Sequence, residues 1–254
     1  MNVRASASLL ALLLTLTGCG VARDLATDDA ATPSGPSAPD ELRQAAQALD
    51  RGPYSFQFRT PTTIGAGAVD GRDGWLRIRV VGGEIAKARV TFEVLHRDGQ
   101  HLVRSNPLTG DRWTRLDMTK VNPARRAALE RFGDPAHAED LLAGVGTAER
   151  NGERGYRGTL DLTRATEPGA SRLIDDAHLR SLTPEQTGAV PFEATVDSQR
   201  RLLGLRFTLP AAGGRPEQPS EISYSGHGFK PDLSAPFDGK IDPAPAEVYE
   251  FVNS

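Results

Sequence analysis

A nucleophilic side chain does little without a base beside it, and the sequence shows no such pairing. Gly-x-Ser-x-Gly is absent. The nearest approach, Ser223-Tyr224-Ser225-Gly226-His227-Gly228, reads as a strand running into a glycine-rich turn. It lacks the strand-to-helix setting that makes a serine reactive. His96 and His101 flank Asp98-Gly99, a two-residue hairpin turn, so their imidazoles fall as neighbours on one face. Zinc needs three or four protein ligands. No third donor stands at a telling spacing, and the pair reads as an exposed hairpin end. His137, His178 and His227 fall on helix or loop positions and read as surface or hydrogen-bonded histidines. Gly65-x-Gly67 and the glycines at 71, 74, 82 and 83 lie between strand-like runs rather than before a helix, so they read as turns and not as a phosphate cradle. These residues call for no catalytic group, no metal and no cofactor.

Cys19 is the residue with a definite chemical assignment. Arg4 precedes a hydrophobic stretch from Ala7 to Leu16, and Thr17 and Gly18 come directly before the cysteine. A basic start, an apolar run and small residues make a bacterial export signal. The run from Leu9 to Leu16 is far short of the roughly 20 apolar residues of a membrane-spanning helix. Leu16-Thr17-Gly18-Cys19 resembles the lipobox of bacterial lipoproteins, which implies a diacylglyceryl group on the thiol and cleavage just before it. As the single cysteine, Cys19 has no internal disulfide partner. Two acyl chains hold stably where one binds marginally. The expected layout is a signal peptide over residues 1–18, a lipidated cysteine and flexible tether over 19–39, and one domain over 40–254, anchored at the extracytoplasmic face of the cell membrane.

The formal charge is -3 for 254 residues, one unit more negative without Arg4, and acids and bases are interspersed along the chain rather than forming blocks. Nothing in this pattern points to nucleic acid. Residues 20–39 are dominated by Ala, Asp, Thr, Ser, Pro and Gly, too poor in large apolar side chains to fold. As a coil they give an end-to-end distance of roughly 25 Å.

The elements follow from hydrophobic period. Asp40 is a helix N-cap, Leu42, Ala45, Ala46 and Leu49 share one helical face, and Gly52-Pro53 ends the run. From Tyr54 the period becomes two: Tyr54, Phe56 and Phe58 face one way, Ser55, Gln57 and Arg59 the other. Leu76, Ile78 and Val80 alternate in the same way, as do Ala86, Ala88, Val90, Phe92 and Val94. The Asp98-Gly99 turn then pairs His96 with His101 and Val94 with Val103. Further strands are expected over 112–116, 156–163, 190–196, 202–209 and 221–225. Asn122 and Pro123 start a helix that runs to Gly133, Asp134 and Pro135 start another with Ala138, Leu141, Leu142 and Val145 as its apolar stripe, and residues 171–183 suggest a third. The class is α+β, a large antiparallel sheet with one solvated face and helices on the other.

Several inward positions are small, namely Ala86, Ala88, Val90, Ala194 and Val196, and the aromatics amount to 2 Trp, 4 Tyr and 9 Phe. Such a face either leaves an apolar cavity beneath the helices or lets them close into a tight core. Composition alone favours the tight core.

Several segments, in order, resemble the LppX/LprAFG-type cell-envelope lipoproteins of actinobacteria, which share a LolA-like fold. They are Leu42 to Leu49 with Tyr54-Ser55-Phe56, Trp113 to Asp117, Asp134-Pro135 with Leu141-Leu142, Gly158 to Leu162, Val190 to Asp197, and the strand from Arg201. The resemblance covers about residues 40–235. The loop from Ala211 to Pro219 and the segment 165–188 depart from the pattern. The resemblance implies a strongly curved sheet, a half-barrel, with helices over its concave face enclosing a cavity for acyl chains of envelope lipids or lipoglycans. Phe56, Phe58, Ile78, Val80, Val90, Phe92, Leu141, Leu142 and Phe207 are the lining candidates. It also implies a non-enzymatic carrier or chaperone that receives its lipid from, or hands it to, an envelope lipid transporter. The rival expectation is a sensor or assembly protein that uses the same fold to bind another envelope protein. An envelope hydrolase would need a nucleophile and base that the sequence does not display.

Overall fold

The computed structural model describes residues 35–85, 88–130, 133–165, 173–229 and 241–253. Cys19, the expected export signal, the expected tether up to residue 34, and Ala86 lie outside the described residues. Residues 36–254 form one compact unit. Its twelve strands are β1 (Tyr54–Arg59), β2 (Thr63–Asp70), β3 (Trp75–Ile85), β4 (Ala88–Arg97), β5 (Gln100–Asn106), β6 (Thr114–Arg115), β7 (Val145–Asn151), β8 (Gly155–Leu160), β9 (Val190–Val196), β10 (Leu202–Leu209), β11 (Gln218–Ser225) and β12 (Asp242–Pro243). They make a single sheet in the order β12-β6-β5-β4-β3-β2-β1-β11-β10-β9-β8-β7. Two antiparallel meanders, β1–β6 and β7–β11, are joined where β1 pairs with β11, and β12 lies parallel to β6. Among the described residues no helix is long and apolar enough to cross a membrane.

Helix α1 (Ala38–Gln47) opens the unit. Its N-cap is Ser37, whose Oγ accepts from the Asp40 amide, so the cap lies three residues before the expected Asp40. Pro39 fits the first turn, where a missing N–H leaves no bond unmade. The expected apolar face is correct: Leu42, Ala45, Ala46 and Leu49 are buried. Each leucine contributes roughly 1.5–3 kcal/mol by leaving water. Glu41 on the same helix accepts the Tyr156 hydroxyl of β8 at 2.5 Å and the Arg150 guanidinium of β7 at 2.7 Å, tying α1 to the sheet edge.

Strand β2 has no counterpart in the sequence reading, where Gly65 and Gly67 stand as turns. Both are strand residues facing the core, opposite Phe58 and Phe56. A Cβ on either would overlap the facing phenylalanine ring. The rings fill the volume that Gly65 and Gly67 leave empty, while Val69 on the same face of β2 is buried in the core. The Asp98-Gly99 turn has φ of 52° and 72° at its two residues, a type I′ turn, and it sets the expected pairs Val94 with Val103 and His96 with His101.

The middle helices differ from expectation at their starts. Asn122 does cap α2 (Pro123–Glu130), its side-chain oxygen accepting from the Arg125 amide at 2.8 Å. Asp134 and Pro135 instead form a turn, and α3 (Ala138–Ala143) begins after His137, whose φ is 57°. Asp134 accepts from the Glu139 amide at 2.7 Å, so it still caps the helix, from five residues away. Val145 belongs to β7 rather than to the helix stripe. Within the expected span 171–183 the described residues hold one short helix, α4 (Asp176–Leu179), and a second, α5 (Pro184–Gly188), follows beyond it, held by a capping box of Thr183 and Gln186. A C-terminal helix, α6 (Ala246–Asn253), and β12 have no counterpart in the sequence reading.

Candidate functional site

One face of the sheet carries the core. A single row crosses it through Phe92, Val80, Gly65, Phe58, Ile222, Leu205, Ala194 and Tyr156, each paired in register with the next. Phe56, Phe58, Ile78, Phe207, Leu141 and Leu142 are all buried in one cluster with Leu42 and Leu49, and Val80 and Phe92 are half-buried against it. Val90 is buried as well. Phe56 and Phe58 stack with centroids 6.5 Å apart. Leu108, Met118, Ala148, Leu179, Leu182, Tyr249 and Val252 are likewise partly buried against this cluster, and the Phe251 ring of α6 lies 5.3 Å from that of Phe92. Helix α6 is tied down by polar contacts. The Asp117 amide donates to the Tyr249 hydroxyl at 2.9 Å, and the Asn122 amide to the Asn253 side chain at 2.8 Å.

His96 and His101 are buried on this inner face and not at an exposed hairpin end, since the even positions of β4 point inward. Their ring centroids are 4.3 Å apart. Burial first, and then the neighbouring imidazole, bring His96 down to about 4. Burial also lowers His101, opposed by the carboxylate of Glu130 on α2. Among the described residues no group of three or more His, Cys, Asp or Glu is placed to hold a metal. His137 pairs with Asp140 at 3.0 Å within the buried turn before α3. His178 and His227 bond the Pro210 and Leu202 carbonyls at 2.8 and 2.9 Å.

The opposite, outer face holds what the sequence reading misses. Arg59, Glu221, Arg206, Glu193, Arg157 and Glu149 stand in direct register on β1, β11, β10, β9, β8 and β7, a row of strictly alternating charge. Arg206 is bonded to Glu193, and Arg157 donates to Glu149 at 2.5 Å. At strand spacings near 4.8 Å the row is about 24 Å long. Beside it runs a groove of about 750 Å³, bordered by the row and by Pro61, Pro219, Thr208, Pro191 and Thr159. Further along the outer face, Glu93 is buried among Arg77, Arg79 and Arg104 at 3.8, 3.6 and 2.8 Å. All but Glu149, which stands on a strand with little apolar signal, are recognisable in the sequence as the polar half of an alternating strand. Arg59 joins the other five members of the row through the pairing of β1 with β11, which the sequence does not display. No family model, no curated protein and no solved structure matches the chain.

Proposed function

We propose that the chain is a membrane-anchored lipoprotein of the LppX/LprAFG type that binds acyl chains of an envelope lipid or lipoglycan and carries them across the cell envelope without changing them. The supporting observation is the inner face itself, an apolar surface spanning both meanders and only half-buried at Val80 and at Phe92, whose ring meets Phe251 of α6. An acyl chain parts this fringe and lies between the sheet and the helices over its concave side. Each buried methylene contributes about 0.8 kcal/mol, so a long chain is held without polar contacts. Cys19 carries the anchor, and an envelope lipid transporter is the partner in transfer.

The test combines binding of a fluorescent fatty-acid analogue with Leu142→Trp. The expected result is saturable binding by the wild type and weakened binding by the variant at an unchanged melting temperature. Overpacking a closed core costs about 1–3 kcal/mol. No binding by the wild type, with a melting temperature several degrees lower in the variant, would end the carrier reading.

A second reading, a sensor or assembly protein that binds another envelope protein, has its own observation in favour. The groove of about 750 Å³ lies on the outer face, away from most of the expected lining residues.

A further inference from the structure

We infer that the outer face of β1 and β7–β11 is a self-association surface whose partner is a second copy of this chain. The argument is the symmetry of the charge row. Arg59, Glu221, Arg206, Glu193, Arg157 and Glu149 alternate in sign across six strands in register. A row of this kind with an even number of members is its own complement when reversed. A twofold axis lying in the face, parallel to the strands and between β9 and β10, performs that reversal. Arg206 then meets the second copy's Glu193, Glu221 meets its Arg157, and Arg59 meets its Glu149. The opposite choice of axis, along the row, sets like charge on like charge, so the arrangement selects one orientation. An isologous dimer needs a self-complementary patch of this form.

The flanking positions allow the approach. On one side of the row lie Gln57, Ser223, Gly204, Thr195, Gly155 and Asn151, all uncharged and mostly small. On the other lies the proline and threonine border of the groove, which gives the second copy's long charged side chains room to settle. The charges are accessible to a second copy: the side chains of Glu149, Arg157, Glu193 and Arg206 are 64%, 62%, 51% and 67% exposed. Six strands by three rows of residues cover on the order of 500 Å² per copy. A standard interface buries about 800 Å² per partner. The dimer is therefore weak, concentration-dependent and weakened by salt.

The experiment is sedimentation of the full chain in a non-ionic detergent, comparing wild type with Arg206→Glu and Glu193→Arg, singly and mixed. The wild type should pass from monomer to dimer as concentration rises. Each single reversal sets like charges together and should raise the dissociation constant by at least about tenfold. The equimolar mixture should recover dimerisation. In the mixed pair, positions 206 and 193 are both acidic in the Arg206→Glu chain and both basic in the Glu193→Arg chain, so opposite charges meet at both central contacts. Glu221→Arg mixed with Arg157→Glu repeats the test at the second facing pair if a central variant fails to fold by circular dichroism. A wild type that stays monomeric, a dimer indifferent to the reversals, or a mixture no stronger than its components would overturn the inference.

Discussion

The buried histidines show how a single residue ties stability to solution conditions. His96 is held neutral in the fold, titrating at about 4, whereas in the unfolded chain it takes a proton near 6.5. The unfolded state therefore binds more protons over this window, and stability falls as pH drops from about 6.5 to about 4. For His96 the loss is on the order of 3 kcal/mol at its limit. His101, also lowered by burial, adds to it in the same direction. His96→Gln should flatten the acid limb of a melting-temperature profile measured between pH 7 and pH 4, and an unchanged slope would contradict the burial-driven shift. That His96 and His101 are cross-strand neighbours is legible from Asp98-Gly99. That they point inward is legible too, because they continue the even-numbered stripe of Val90, Phe92 and Val94. The exposed-hairpin reading gives the turn more weight than the stripe.

Elements are legible where the hydrophobic period is carried by large side chains. Helix α1 shows its four buried residues in sequence, and β4 and β9 show theirs by alternation. Strand β2 is not legible because two of its inward positions, Gly65 and Gly67, are glycines whose volume is supplied by the neighbouring strand. Gly65→Ala forces the Phe58 ring out of its place and should destabilise the protein by about 1–3 kcal/mol, read by denaturant midpoint. Ala66→Ser, on the outer face of the same strand, should leave the midpoint nearly unchanged, and equal losses at both positions would show that glycine here serves the backbone and not the ring. Strand β7 hides for a different reason. At the sheet edge only Val145 is buried while Glu149 and Arg150 face solvent, so it carries little apolar signal. Ser37→Ala should weaken α1 by about 0.5–2 kcal/mol as its cap is lost; no loss on thermal melting would place the helix start elsewhere.

At the scale of the molecule, the sequence carries the α+β class, the antiparallel meanders and the apolar face, but not the joining of β1 to β11. That pairing links residues some 170 apart in the chain, and local periodicity holds no information about partners so distant. Arg59 joins the charge row on the outer face through it, whereas the other five members stand on the β7–β11 meander. The proposed membrane anchor belongs to this scale as well: Cys19→Ser should abolish fatty-acid labelling and release the domain from the membrane, since a hydroxyl does not replace the thiol in lipid transfer, and retained label would contradict the anchor. The central claim is that the inner face holds acyl chains, and mass spectrometry of organic extracts from protein purified out of its native host tests it most directly. The expected result is an acylated lipid or lipoglycan that co-purifies in near-stoichiometric amount and is reduced in Leu142→Trp. Extracts containing no lipid beyond the group attached to Cys19, from protein that is folded and anchored, would contradict the claim.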